Sequence, residues 1–154
     1  IRFLLIGNGP KKRQLQLAAE KKALSNVVFL PSQPRERIQE FINAADVTLA
    51  PLKPPHLRGA IPSKIFDSMA CGVPVIVAAA GEARRVVEEA EAGVAVEPGD
   101  ARALREAILH LSRHPELRAR IGQRGRDAAV KNYSRSKQAQ ILARLLKGLS
   151  GERY

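Results

Sequence analysis

A short helix followed at once by a buried strand is encoded by the stretch Ile61-Pro62-Ser63-Lys64-Ile65-Phe66-Asp67-Ser68-Met69-Ala70-Cys71-Gly72-Val73-Pro74-Val75-Ile76-Val77-Ala78-Ala79. The apolar positions of the helix recur at helical spacing and are predicted to pack in the core: Ile65, Phe66, Met69 and Ala70. Gly72 ends the predicted helix Ser63–Cys71 as its C′ residue, and Pro74 prevents its continuation. Val75–Ala79 is apolar throughout, which is typical of a strand covered on both faces.

The same alternation of apolar runs and amphipathic stretches extends in both directions from this point. Further strands are predicted at Ile1–Ile6, Val27–Leu30, Val47–Leu52 and Val94–Val96, and further helices at Lys11–Leu24, Arg35–Ala45 and Glu82–Ala90. Strand–helix–strand repeats with short connections imply right-handed crossovers between parallel strands. The pattern therefore predicts an α/β fold built on a parallel sheet.

The last third of the chain has a different pattern, with helices in succession. Asp100 is a candidate N-cap for a helix to about Ser112, and Pro115 begins a second helix with Leu117 and Ile121 facing inward. A third helix from about Ser134 places apolar residues on one side: Ala139, Leu142, Leu145 and Leu146. No repeat or linker divides the sequence, so residues 1–154 are expected to form a single domain ending in C-terminal helices.

Composition narrows the class of protein. Apolar residues make up 45% and charged residues 27% of the 154 residues, the balance of a globular protein. No apolar run approaches the roughly 20 residues that span a bilayer. The single cysteine, Cys71, excludes an internal disulfide framework and a cysteine-rich zinc site. The formal net charge of +11 is concentrated at the end, where residues 113–154 hold eleven basic and three acidic side chains, and it favours anionic partners.

The start of the predicted helix at Ser63 is the strongest candidate binding site. Backbone N–H groups at Ile61, Ser63 and Lys64 meet the positive end of the helix dipole, which favours an anion. Lys64 adds a positive charge, and Asp67 lies one turn after Ser63, where a carboxylate accepts two hydrogen bonds from a sugar diol. A structural alternative is equally consistent with the spacing: Ser63 as a plain N-cap and Asp67 as a first-turn acid paired with Lys64.

A second candidate is the turn Gly7-Asn8-Gly9-Pro10, which follows the first strand and precedes a helix. Glycines here allow the backbone to approach a phosphate, although a tight strand–helix turn explains them equally well. The third glycine of a dinucleotide fingerprint would fall at Lys12, so the motif for NAD is not met.

Taken in order, these segments resemble the group 1 retaining glycosyltransferases of the GT-B type, especially bacterial members that build surface polysaccharides. The stretch 61–76 resembles the family's donor-binding signature, and 5–10 resembles its G-x-G-P turn. The segments 28–34 with 41–47, and 81–100, resemble the units between and after these motifs. The resemblance covers essentially the whole chain.

The resemblance implies a Rossmann-like three-layer parallel sheet with helices on both faces, which binds a UDP- or GDP-sugar without a metal ion or other cofactor. The residues expected to bind the donor are Gly7, Gly9, Gly59, Ala60, Ile61, Pro62, Ser63, Lys64 and Asp67, with Asp67 on the ribose. Pro31, Ser32 and Gln33 fall where the nucleobase lies, and His56 and Glu82 are candidates for donor-sugar or acceptor contacts. No catalytic residue is assigned.

Three departures from the family pattern bear on activity. Gly59 stands where the family's first paired glutamate is expected, and Asp67 is one methylene shorter than the second. The arginine and lysine that grip the diphosphate in the family precede the first strand seen here. The resemblance therefore implies most of the C-terminal, donor-binding domain of a hexosyl- or N-acetylhexosaminyltransferase, without its first strand–helix unit and N-terminal acceptor domain, and inactive by itself.

The remaining polar candidates have simpler explanations. His110 and His114 are four residues apart, but no third metal ligand is near in sequence, so structural or surface roles are expected and no metal site is predicted. Cys71 is expected to be an inert buried thiol, and Arg84 and Arg85 to be solvated.

Two hypotheses remain. The first is the donor-binding half of a glycosyltransferase acting on a lipid-linked or polysaccharide acceptor, in the cytoplasm, with peripheral contact at the inner, anionic face of the membrane. The second is a non-catalytic Rossmann-like module that binds phosphates or nucleic acid through its basic surface. Aromatic residues make up only 4% of the chain, which argues against a nucleic-acid partner.

Overall fold

The computed structural model describes residues 1–52 and 59–149. Strands in this part of the chain are β1 (Phe3–Ile6), β2 (Val27–Leu30), β3 (Thr48–Pro51), β4 (Val75–Ala78) and β5 (Gly93–Val96). The helices are α1 (Lys12–Lys21), α2 (Arg35–Asn43), α3 (Ser63–Ala70), α4 (Glu82–Glu89), α5 (Ala101–Arg113), α6 (Pro115–Asn132) and α7 (Arg135–Leu149). The chain forms two compact units, Ile1–Phe41 and Ile42–Tyr154, with the boundary in the last turn of α2.

The first unit is built on a two-stranded parallel sheet. Phe3 lies opposite Val27 and Ile6 opposite Leu30, and the helices α1 and α2 follow the two strands in turn. Although both strands are apolar, Leu4 is 47% exposed, and across residues 1–41 Ala19 is the only buried hydrophobic residue. The sequence of this unit therefore forms the predicted elements with little core of its own.

Helix α1 ends before the predicted position at Leu24. The chain leaves the helix through Ala23, which has a φ of 50°, and the Leu24 N–H donates to the Ala19 carbonyl at 3.0 Å. This is the left-handed exit that usually requires glycine, so the apolar pattern alone overestimated the helix.

The second unit contains the parallel sheet β3-β4-β5 with β4 in the middle. Every residue of β4 is buried, and its side chains alternate between two hydrophobic clusters. Val75 and Val77 pack with residues of α3 and α4, whereas Ile76 and Ala78 pack with residues of α5 and the first half of α6. Helices therefore cover both faces of this sheet, as the continuous apolar run predicts.

Helix α6 approaches the turn between α3 and β4 with no side chain in between. A Cβ atom added to Gly122 would lie 2.0 Å from the carbonyl oxygen of Gly72 and 3.5 Å from Cδ of Pro74. Gly72 itself has a φ of 71°, as expected for a helix C′ residue. Gly122 thus allows backbone-to-backbone packing that a larger residue would prevent, whereas Gly72 is favoured by its left-handed backbone.

The C-terminal helices begin where local chemistry predicts. The Ala103 N–H donates to the Asp100 carboxylate at 2.8 Å, which confirms the N-cap of α5, and Pro115 is the first residue of α6. Leu117 is half-buried and Ile121 is buried, whereas Leu142, Leu145 and Leu146 of α7 stay exposed. The α/β class, the parallel pairing and the succession of C-terminal helices are confirmed. Within residues 1–52 and 59–149, no helix has the length and apolarity to cross a membrane.

Candidate functional site

The N-terminal end of α3 has no side-chain cap. Pro62 is the N-cap residue, with an extended backbone (φ −62°, ψ 133°) and no side-chain hydrogen bond to the helix. The interpretation of Ser63 as the N-cap is therefore wrong, and Ser63 is instead the first helical residue. The Ile65 N–H donates to the Pro62 carbonyl at 3.0 Å, whereas the N–H groups of the first helical residues, Ser63 and Lys64, have no acceptor within the helix.

The polar side chains of this turn are exposed and available to a ligand. Ser63, Lys64 and Asp67 all lie at the surface, with Asp67 one turn after Ser63. Among the described residues, Asp67 forms no ion pair or side-chain hydrogen bond with Lys64, so the alternative that pairs them is not found. A basic side chain, two backbone donors and a carboxylate acceptor thus share one helix end.

The opposite face of α3 holds the helix in place. Ile65 and Met69 are fully buried, and the Ser68 hydroxyl, also buried, donates to the Lys64 carbonyl at 2.7 Å. Ser68 was not predicted in the core, and Ala70, which was, is exposed. Burial of the serine is tolerated because its hydroxyl bonds back to the preceding turn.

Contacts with α6 and the residue that follows it fix both the middle and the end of α3. The rings of Phe66 and Tyr133 have centroids 5.0 Å apart, and the Arg126 guanidinium donates to the Ala70 carbonyl at 3.2 Å. Ile61 packs against the same cluster as α3, so the loop residue nearest the helix is anchored too. The candidate anion site is consequently built on a rigid element.

Cys71 follows this helix and is partly buried. Burial raises the pKa of its thiol, the negative charge of Asp67 raises it further, and the Arg126 guanidinium lowers it. A raised pKa keeps the thiol protonated at neutral pH, which argues against a nucleophilic role.

In the first unit, two candidate loops lie at the same end of the β1–β2 sheet. Gly7, with a φ of 138°, donates its N–H to the Leu30 carbonyl at 3.2 Å, and the Lys12 ammonium donates to the same carbonyl at 2.9 Å. Pro31 follows Leu30 directly, so the turn containing Gly7 and Gly9 lies beside the loop of Pro31, Ser32 and Gln33.

Lys12 was not predicted as a candidate, because in the sequence it stands where the third glycine of a dinucleotide fingerprint would fall. Its ammonium also donates to the Asn8 side chain at 3.1 Å and so crosses the turn. The Gln33 amide donates to the Pro31 carbonyl at 3.1 Å, while Gly9 has open space around its α-carbon. The structure thus places the Lys12 ammonium at this turn, while the space beside Gly9 stays open.

Glu82 is the first residue of α4 and is held by an ion pair. Its carboxylate accepts from the Arg85 guanidinium at 2.5 Å, and Arg85 also contacts Glu89 at 3.4 Å. Arg84 contacts Glu88 at 2.9 Å and Glu97 at 2.5 Å. Arg85 is exposed as expected and Arg84 is partly exposed, and both in addition belong to surface ion-pair networks. The sugar or acceptor contact of Glu82 stays a prediction.

The other candidates are placed as follows. His56 lies outside the described residues, and Gly59, at their edge, is exposed with no neighbouring atom where a Cβ would stand. The His110 and His114 rings lie 4.5 Å apart at the surface, and the described ranges contain no group of three or more histidine, cysteine or acidic residues placed to hold a metal.

Known proteins are similar to this chain in sequence and in architecture. The family model for glycosyl transferases group 1 matches residues 1–128. A GDP-mannose-dependent alpha-(1-6)-phosphatidylinositol monomannoside mannosyltransferase of Mycolicibacterium smegmatis is 30% identical over 151 residues, which cover 94% of this chain and 39% of that protein. This chain therefore spans about two-fifths of the length of that relative.

Solved structures match over a similar extent. The sucrose-phosphate synthase of Thermosynechococcus elongatus superimposes with a TM-score of 0.81 at 26% identity, over 95% of this chain and 38% of that one. HepE of Anabaena, in complex with UDP-glucose, superimposes with a TM-score of 0.82 at 23% identity, over 96% of this chain and 41% of that one. With the family model matching most of its length and this shared GT-B architecture, the chain belongs to the group 1 glycosyl transferases.

Proposed function

We propose that this chain binds the nucleotide-diphosphate-sugar donor of a retaining glycosyltransferase. The observation that carries the proposal is the uncapped start of α3, where two backbone donors and the side chains of Lys64 and Asp67 are exposed and unpaired among the described residues. A diphosphate satisfies the amide donors and the lysine, and a ribose diol satisfies the carboxylate.

In this proposal the chain offsets the diphosphate charge without a metal ion. The segment from Gly59 to Lys64 supplies backbone donors, and the dipole of α3 favours negative charge at its start by about 0.3–1 kcal/mol. Lys64 contributes a point charge, and Asp67 accepts hydrogen bonds from the ribose hydroxyls. Because α3 is anchored by its buried face and by Arg126, these groups keep their geometry before the donor arrives.

Two donor bases, uracil and guanine, are the ones that we propose to test first. The mycobacterial mannosyltransferase is named for GDP-mannose, and the Anabaena structure, which supports only the fold, contains UDP-glucose. UDP and GDP are therefore the nucleotides to test first. Contacts of Pro31, Ser32 and Gln33 with the base remain a prediction.

The parent reaction is proposed as transfer of a hexosyl or N-acetylhexosaminyl group to a lipid-linked or polysaccharide acceptor in the cytoplasm. The relative named above acts on a phosphatidylinositol monomannoside, which is a lipid-linked sugar. Since this chain aligns with 39% of that protein, we assign the acceptor site to the part of such enzymes that this chain does not match, and we expect the chain alone to be inactive.

Calorimetric titration with UDP, GDP and ADP at low and high salt tests the proposal. One nucleotide should bind selectively, and Asp67→Ala should weaken it roughly ten- to a hundredfold, because a hydrogen bond to a charged acceptor contributes about 1.5–3 kcal/mol. Asp67→Glu, which restores the longer carboxylate of the family pattern, should retain or strengthen binding. Glu106→Ala is the matched control, since Glu106 lies on α5 and, within the described part of the chain, pairs only with the exposed Arg102.

The same titration separates the donor site from the basic binding module. A surface that attracts phosphates by charge alone binds all three nucleotides with similar affinity and weakens steeply with salt. That result, together with no effect of Asp67→Ala, would contradict the donor site.

A further inference from the structure

The side chain of Lys12 links the two loops that follow β1 and β2. Its ammonium donates to the side-chain oxygen of Asn8 at 3.1 Å and to the backbone carbonyl of Leu30 at 2.9 Å. Asn8 belongs to the turn after β1, and Leu30 is the last residue of β2. Lys12 is half-buried, so its side chain is held between these two loops and does not extend freely into solvent.

The Leu30 carbonyl marks the point where the chain enters the loop 31–34. It accepts from the Gly7 N–H at 3.2 Å as well as from Lys12, and two donors match the two lone pairs of a carbonyl oxygen. Pro31 comes next, and its ring fixes its φ at about −65°. The orientation of the Leu30 carbonyl therefore sets the direction in which the loop leaves β2.

This loop presents hydrogen-bonding groups to a ligand. Ser32 is exposed, and its N–H and hydroxyl form no hydrogen bond with the described residues. The Gln33 side chain donates through its nitrogen to the Pro31 carbonyl at 3.1 Å, and among the described residues its oxygen has no donor. Bases differ in the order of donors and acceptors along their edges, so a loop held in one conformation can distinguish them.

We propose that Lys12 is a positioning residue for nucleobase specificity: it ties the turn 7–10 to the end of β2 and so holds the loop 31–34 in the conformation that selects the base. This inference rests on the proposed function, which assigns the loop to the base of the donor. Lys12 acts through Leu30 and is assigned no contact with the donor. Without the ammonium, the Leu30 carbonyl keeps the Gly7 N–H as its donor, and the nucleotide has to order the loop when it binds.

Titration of UDP, GDP and ADP into the full chain and its variants tests the inference. Lys12→Met removes the ammonium and keeps most of the side-chain length. It should weaken binding of the preferred nucleotide about two- to tenfold, the range expected when groups at the site must be ordered on binding. The other nucleotides should weaken less, so the ratio of the dissociation constants falls.

Two further variants separate positioning from charge. Lys12→Arg keeps a cationic hydrogen-bond donor and should retain most of the selectivity. Lys11→Met removes the same charge one residue earlier, where the lysine is exposed and forms no side-chain hydrogen bond to the helix, and should leave the ratio unchanged.

Amide NMR relaxation of the chain without nucleotide measures the positioning itself. The order parameters of Ser32 and Gln33 should fall in Lys12→Met from about 0.85, typical of a rigid backbone, towards about 0.6. They should stay unchanged in Lys11→Met.

Two results would overturn the inference. Equal weakening of all three nucleotides by Lys12→Met and Lys11→Met, reduced at high salt, would show that Lys12 acts by charge alone. An unchanged ratio despite greater motion of the loop would show a structural role without specificity. A failure of the proposed function is distinct, because the unaltered chain then binds no nucleotide selectively and Asp67→Ala has no effect. That result overturns both proposals, whereas the first two, at a selective site that depends on Asp67, overturn this inference alone.

Discussion

Replacing Gly122 by alanine should destabilise the protein, although alanine is the better helix former. The new Cβ would lie 2.0 Å from the Gly72 carbonyl oxygen and 2.9 Å from the Gly72 carbonyl carbon, where ordinary contacts are at least about 3.4 Å. Both partners are backbone, so no side-chain rotation relieves the clash, and α6 must move away from the α3–β4 turn by more than 1 Å.

The expected change in the free energy of unfolding is the difference between a steric cost and a gain in helix propensity. Overpacking of this kind costs about 1–3 kcal/mol or more, and the higher helix propensity of alanine returns about 1 kcal/mol at most. Because the clash involves rigid backbone, we expect the upper part of the range and a net loss of about 2 kcal/mol. For a chain of this size that corresponds to a fall in Tm of about 4–8 °C.

Urea unfolding followed by circular dichroism measures the change, with Gly148→Ala as the matched control. Gly148 is also helical, but no atom lies within 4 Å of its added Cβ, so the same substitution there should raise stability by up to about 1 kcal/mol. Equal effects of the two substitutions, or an unchanged midpoint for Gly122→Ala, would refute the close approach of α6 to Gly72.

Two further measurements address local features. Ala23→Gly should slow amide hydrogen exchange in α1 by removing a left-handed alanine, a gain of about 0.5–1 kcal/mol after the added chain entropy of glycine; faster exchange would contradict the left-handed exit. Alkylation of Cys71 should be slower at neutral pH than that of a free cysteine and rise as the pH approaches its elevated pKa. Asp67→Ala removes one charge that raises this pKa, so the reaction should then be faster at the same pH, and an unchanged rate would show that Asp67 does not act on the thiol.

Prediction from the sequence succeeded where the cause is local. The Asp100 cap, the Pro115 start and the Gly72 exit depend on residues within one turn of each other, and all three occur at the predicted positions. The end of α1 shows the limit of the same rules, because a left-handed exit through Ala23 has no glycine to reveal it.

The residues of the candidate site could be predicted from the sequence, but the ion pairs between their side chains could not. The residues that start α3 were identified from spacing, and they lie together because one helix end holds them. Whether Asp67 pairs with Lys64, or Glu82 with Arg85, depends on side-chain directions that spacing leaves open. Among the described residues, Asp67 and Lys64 do not form an ion pair, whereas Glu82 and Arg85 do.

The sequence by itself determined the α/β class, the parallel connections and the family, because hydrophobic periodicity and short motifs act over a few residues. Only the tertiary structure decided how these pieces meet. It divides the strands into sheets of two and three, buries Ser68 instead of Ala70, packs Gly122 on Gly72, and leaves Leu142, Leu145 and Leu146 exposed. Each of these depends on contacts between residues far apart in the chain, which no local pattern encodes.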